Sequence, residues 1–184
     1  MKIYSSLGEK FANKGAYAVL TLGCFDGVHM GHRAIIERVI AEAQKTGGLS
    51  GLLTFDPHPL EVLNKTDKAF LLSTREEKEK ILAGYPLDFI TFIPFTRQFA
   101  SLPPEAFVKD ILVEKFKAKK VIVGQDTRFG YRGAGTVSLL KSLGNFHNFD
   151  VDVIEPVLSE GDVISSSLIR GLLEAGEIDR ANRF

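Results

Sequence analysis

The 184-residue chain has one cysteine, no tryptophan and no net charge, with 23 Lys and Arg against 23 Asp and Glu. Each shortage excludes something. A lone Cys24 makes no internal disulfide, and without a cysteine cluster there is no zinc ribbon or finger, so the composition points to a reducing cytoplasm. The balanced charge argues against nucleic acid or another polyanion as partner, because such binders usually carry a basic excess; an anion handled here is gripped locally. The opening residues Met1 to Ser6 lack the apolar core of a signal peptide, and no apolar run is long enough to span a bilayer, so no membrane partner is expected. Walker A, GxGxxG after a strand, GxSxG and HExxH are all missing, which removes several common enzyme classes.

What is present is an ordinary globular composition, 45% hydrophobic and 25% charged, with no repeat, low-complexity tract or linker. One domain over residues 1–184 is expected, burying roughly 70% of the surface of the unfolded chain. Short β-branched runs alternate with amphipathic stretches. Strands are predicted at 17–22, 51–55, 89–93, 121–123 and 151–154. Between them fall helices at about 31–45, 73–83 (opened by Ser73 with Glu76 in a capping box), from Pro103 through Leu112, 136–143 and 166–175. Near-continuous apolar strands joined by helical crossovers imply an α/β, Rossmann-like fold with a parallel sheet covered on both faces. Ligands then bind beyond the carboxyl ends of the strands. Gly130 to Gly135 reads as the most flexible interior segment.

Two segments carry phosphate chemistry. After the first strand comes Gly23-Cys24-Phe25-Asp26-Gly27-Val28-His29-Met30-Gly31-His32, leading into a helix, so two of the chain's four histidines meet free backbone N–H groups at a helix N-terminus. Glycine keeps such a backbone accessible to a phosphate, and imidazoles donate to charge that grows during phosphoryl or nucleotidyl transfer. The alternative is that each histidine is a loop residue or helix cap. No metal-ligand set stands out; two histidines three apart match no zinc pattern. The second segment, Ser165-Ser166-Ser167-Leu168-Ile169-Arg170, opens the last helix with hydroxyls, free N–H groups and a guanidinium, and its simpler reading is capping. Cys24 has no evident base and reads as a small loop residue.

Together the two motifs resemble the HxGH nucleotidylyltransferase superfamily. Thr54-Phe55-Asp56-Pro57-His58-Pro59, Pro94 to Ala100 with Pro104 to Val108, and Val123 to Gly130 narrow the resemblance to bacterial FAD synthetase, the FMN adenylyltransferase, nearly end to end. The resemblance implies AMP transfer from ATP to FMN with Mg2+, giving FAD and pyrophosphate. It implies catalytic roles for His29, His32 and Arg170. It puts ATP against Gly23, Phe25, Asp26, Gly31, Ser165, Ser166 and Ser167, and the flavin near Phe55, Asp56, Pro57, His58, Asp126, Arg128 and Phe129. Thr127 stands where the family commonly has an aromatic residue, and Asp-Pro-His-Pro is by itself a rigid turn. In this family the module is usually fused to riboflavin kinase, and the chain ends about where that module would begin. Because the phosphate motifs are shared across the superfamily, nicotinamide mononucleotide or phosphopantetheine as acceptor, and a non-catalytic flavin or nucleotide binder, are the alternatives.

Overall fold

In a computed structural model, residues 1–8, 16–63 and 71–184 are described. Six strands form one sheet, β1 (Lys2–Tyr4), β2 (Ala18–Leu22), β3 (Leu49–Asp56), β4 (Phe89–Pro94), β5 (Ala118–Gly124) and β6 (Asp150–Ile154), in the order β1-β4-β3-β2-β5-β6. Every pairing in it is parallel. A hairpin of β7 (Leu158–Ser159) and β8 (Asp162–Val163) stands apart. The helices are α1 (Met30–Thr46), α2 (Pro59–Val62), α3 (Arg75–Leu82), α4 (Arg97–Ala100), α5 (Pro104–Ala106), α6 (Val137–His147), α7 (Ser166–Glu174) and α8 (Ile178–Ala181), with α5 running on as a π-helix over Phe107–Lys115.

Because strand side chains alternate, β2 sends Ala18, Leu20 and Leu22 to one face and Val19 to the other, and all are buried. The first face packs on Phe107, Val108, Ile111 and Leu112 of the π-helix and on Leu140 of α6. The second is covered by Ile36, Val39, Ile40 and Ala43 of α1 and by Leu82 of α3. This is the doubly covered parallel sheet that the apolar runs imply. A third, small cluster joins Ile164, Ile169 and Leu172 to Ala181 and Phe184, seating α7 and α8.

Several boundaries differ from expectation. Helix α1 starts at Met30, with His29 as its cap. The box that opens α3 is Thr74 with Glu77, not Ser73 with Glu76. The Ser73 hydroxyl is already engaged, donating to Asp26 and accepting from the Gly27 N–H. Strand β5 begins three residues earlier than predicted: Ala118 and Lys120 pair with Ala18 and Val19 of β2, and the Lys120 ammonium is matched by Glu42 and Asp152. The segment read as flexible is tied down: Phe129 and Gly135 exchange backbone hydrogen bonds of 3.1 and 2.8 Å around a single 3-10 turn.

The sheet reverses its winding at β2, which pairs with β3 on one side and β5 on the other. A crevice is expected at the carboxyl ends of that pair.

Candidate active site

The crevice is there. A cavity of about 640 Å³ opens at the strand ends, lined by Gly23, Cys24 and Phe25 after β2, Phe55 of β3, Gln125 to Arg128 after β5, Glu155 to Val157 after β6, and Ser165 to Ser167 at the start of α7. His29, Gly31 and His32 complete it. That volume suits a ligand of cofactor size. The two motifs identified in the sequence, about 130 positions apart, therefore face one space.

They also touch. The Ser166 hydroxyl donates to the Asp26 carbonyl at 3.0 Å, and Arg170 meets the Asp26 carboxylate at 2.7 Å. Asp26 is 1% exposed and accepts further hydrogen bonds from the N–H groups of Leu72 and Ser73 and from the Ser73 hydroxyl. Burial would raise its pKa, but the Leu72 N–H, the Arg170 guanidinium and the Ser73 N–H together hold the carboxyl below the ordinary carboxylate range.

The loop between β2 and α1 is strained. Phe25 and Val28 have φ of 49° and 43°, and Gly27 lies at 77°. A β-branched residue in that region is a genuine outlier, of the kind retained at functional sites when the surroundings over-determine it. Here the surroundings are the hydrogen bonds to Asp26, the Ser73 hydroxyl on Gly27, and the Cys24 carbonyl, which accepts from Thr54 Oγ1 at 3.0 Å and Lys78 Nζ at 2.8 Å.

His29 and His32 stack, with ring centroids 3.7 Å apart and planes inclined by 21°. His29 Nδ1 caps α1 by accepting from the His32 N–H at 3.4 Å, a long bond. That acceptor role assigns the His29 proton to Nε2, leaving Nε2–H as its donor. Burial lowers the His29 pKa to about 4, against the pull of Asp126 and Asp26. Burial, and then the adjoining His29 ring, lower His32 to about 3. Both rings are neutral at neutral pH. His32 Nδ1 is buried without a hydrogen-bond partner among the described residues. Such an atom is rare in a native fold, and the ring that carries it lines the cavity.

Backbone donors are reserved too. At the start of α1 the Met30 N–H is spent on the Phe184 carbonyl and the His32 N–H on His29, while the Gly31 N–H has no acceptor among the described residues. At α7 the Ser165 hydroxyl caps the Leu168 N–H at 3.2 Å, as the capping reading expects, and the N–H groups of Ser166 and Ser167 at the helix start have no acceptor among the described residues. Capping and ligand binding are thus compatible here.

Of the other residues singled out in the sequence, Asp26, Asp56, Pro57, His58, Phe129 and Arg170 lie off the cavity wall. Arg170 is engaged with Asp26. Asp56 pairs with Arg75 at 2.6 Å and is joined by a cis bond to Pro57. His58 caps α2, accepting from the Leu60 N–H while its own N–H donates to Glu61, and burial lowers its pKa. Phe129 packs on Phe107 in the core. Phe55 alone of that central group reaches the cavity, at the end of a ring series through Phe95 and Phe99. Asp126 and Arg128 line it as well. Cys24 lines the cavity, but burial pushes its thiol up to about 11, so it is no nucleophile at neutral pH. Sequence reading missed Glu155 to Val157, although their place just after a strand was the available signal. It also missed Lys78, which the sequence presents as one charge among many on α3.

Residues 12–168 match the family described as FAD synthetase. A bifunctional riboflavin kinase/FMN adenylyltransferase of Buchnera aphidicola subsp. Schizaphis graminum is 36% identical over 167 residues, covering 90% of this chain and 54% of that protein. An FAD synthetase of Listeria monocytogenes is 32% identical, covering 89% and 66%. Among solved structures, one described as a macrolide-efflux protein from Streptococcus pneumoniae superimposes with a TM-score of 0.84 at 25% identity, over all of this chain and 60% of that one. The chain spans about half the length of the bifunctional relatives it matches. No helix among the described residues is long and apolar enough to cross a membrane. With the family match running from residue 12 through the histidine motif and into the serine motif at Leu168, the chain belongs to the FAD synthetase family.

Proposed function

We propose that the chain transfers the adenylyl group of ATP to FMN, forming FAD and pyrophosphate. The observation that carries this reading is the shared cavity: two neutral imidazoles, the Gly31 N–H of α1 and the Ser166 and Ser167 N–H groups of α7, these N–H groups having no acceptor among the described residues, belong to one lining at the switch point of the sheet. The names of the relatives agree with it. The triphosphate lies between the two helix starts, where their partial positive charge favours anions. The flavin takes the side lined by Phe55, where an aromatic wall meets the loop after β5.

In the reaction an FMN phosphate oxygen attacks the α-phosphorus of ATP in line. A new P–O bond forms, the bond from the α-phosphorus to the bridging oxygen breaks, and pyrophosphate leaves with that electron pair. A phosphate oxygen is already ionised near neutral pH, so no general base is needed. What the chain contributes is alignment of two anions and donors preset for the growing charge. His29 Nε2–H and the Gly31 N–H are such donors, and both are held by the strained loop beneath them. Arg170 acts through Asp26, fixing that loop.

Magnesium fits as a companion of the triphosphate. Among the described residues no group of three His, Cys, Asp or Glu side chains gathers to hold a metal, but Asp126 and Glu155 stand on the cavity wall. One or two carboxylates with substrate phosphates and water are the usual magnesium environment, so these two residues would hold it. Bound there, the ion neutralises charge on the phosphate oxygens.

The test is incubation of purified protein with ATP and magnesium plus FMN, nicotinamide mononucleotide, phosphopantetheine or riboflavin, following pyrophosphate and, for flavins, fluorescence. FMN alone is expected to release pyrophosphate, with fluorescence quenched as adenine stacks on the flavin. Turnover with another acceptor and none with FMN would overturn the reading. Binding of both substrates without product would make the chain a non-catalytic binder.

A further inference from the structure

Lys78 is out of place by the ordinary rules of burial. It is 4% exposed, and with Leu82 one turn later it forms the inward face of the short helix α3. Taking an ammonium out of water costs several kcal/mol, and an apolar side chain beside Leu82 would serve the core as well. Stability therefore does not explain the lysine. Its one described hydrogen bond does: Nζ donates to the Cys24 carbonyl at 2.8 Å. Thr54 Oγ1, from the neighbouring strand end, donates to the same oxygen at 3.0 Å.

That carbonyl belongs to the peptide joining Cys24 to Phe25. In a planar trans peptide the N–H points opposite to the C=O. With the carbonyl drawn onto Lys78 and Thr54, the Phe25 N–H is turned to the other side, and it has no acceptor among the described residues. Phe25 lines the cavity with His29 and His32, and its ring lies 4.9 Å from that of His32. A cation on the carbonyl also polarises the peptide and strengthens its N–H as a donor. Burial lowers the Lys78 pKa, against the opposing pull of Asp26, Asp56 and Glu61.

We propose that Lys78 is a positioning residue for nucleotidyl transfer: by gripping the Cys24 carbonyl it sets the Cys24–Phe25 peptide so that its N–H faces a phosphate oxygen of the nucleotide. Lys78 touches no reacting atom. The inference rests on the adenylyl-transfer reading, and the experiment separates the two.

Wild-type protein and the variants Lys78→Met, Lys78→Arg and Thr54→Val are compared for kcat, for KM towards FMN and ATP, and for thermal unfolding. Lys78→Met is expected to unfold no earlier than wild type, since it removes a buried charge. Its kcat falls by up to about 100-fold, the scale of a 1 Å misplacement, with KM for FMN unchanged. Lys78→Arg, which keeps a charged donor, recovers most of the loss. Thr54→Val, which leaves Lys78 in place, lowers kcat by less and in the same direction, and this comparison holds even if Lys78→Met fails to fold. Wild-type kcat in either Lys78→Met or Thr54→Val would overturn the proposal, as would failure of arginine to rescue. A wild-type protein that makes no FAD sinks the functional reading itself.

Discussion

Replacing Arg170 by Met separates two roles that the sequence leaves entangled. If the guanidinium is a ligand for phosphate, its loss weakens ATP binding and leaves the fold alone. The structure puts it instead on Asp26 at 2.7 Å, with the carboxylate 1% and the guanidinium 18% exposed. Removing one partner of a buried pair leaves an uncompensated charge and costs about 3–5 kcal/mol. Asp26 keeps hydrogen bonds from Leu72 and Ser73, so the lower end, about 3 kcal/mol, is expected. For a chain of this size that is a fall in Tm of roughly 6–12 °C. Urea unfolding of Arg170→Met, Asp26→Asn and the double variant closes a cycle, and a coupling of about 1–3 kcal/mol is predicted. The pair's contribution is present above the ordinary carboxylate pKa and is lost on acidification, because the folded-state carboxyl is the one held low. Unchanged stability of Arg170→Met, with only KM for ATP raised, would mean that the guanidinium serves the nucleotide and not Asp26.

Other expectations follow from the same loop. His29 and His32 are both depressed, so the unfolded chain takes up their protons first. Stability present above pH 6.5 is lost as pH falls towards about 4 for His29 and about 3 for His32, with His29 alone worth about 3 kcal/mol; urea midpoints across this range should fall less steeply in a His29→Gln, His32→Gln variant. In turnover assays His29→Ala or His32→Ala should each be slower by roughly 100- to 1000-fold, the cost of losing a preset donor. At Gly31 a methyl group would come within 3.1 Å of the His29 ring. Gly31→Ala is therefore expected to melt within a few degrees of wild type while turning over roughly 10-fold more slowly. Chelation of magnesium should stop pyrophosphate release without shifting the melting temperature of the ligand-free protein, a comparison made by calorimetry with and without EDTA.

The layout of the sheet was legible because parallel strands buried on both faces are written as apolar runs, and Ala18 to Leu22 or Phe89 to Ile93 have no other reading. The short edge strand Lys2–Tyr4 was not, since three residues with two exposed leave no pattern. The start of β5 was hidden by Lys119 and Lys120. Ser73 and Thr74 are equivalent as caps in sequence, and the choice falls to Thr74 because Asp26, 47 residues away, holds Ser73. Both cavity-lining motifs could be found from residue type and spacing. Their linkage could not: that Asp26 binds Arg170 and Lys78 holds Cys24 depends on where the chain returns, and local periodicity carries no record of it.

Adenylyl transfer by this chain requires one triphosphate to be held between α1 and α7, and a crystal structure with a non-hydrolysable ATP analogue and FMN would reveal it. The phosphates are predicted to lie within hydrogen-bonding distance of the His29 and His32 rings and of the Ser166 or Ser167 N–H at once, with the flavin on the Phe55 side. Phosphates seated on one of the two segments alone, or outside the cavity, would contradict it.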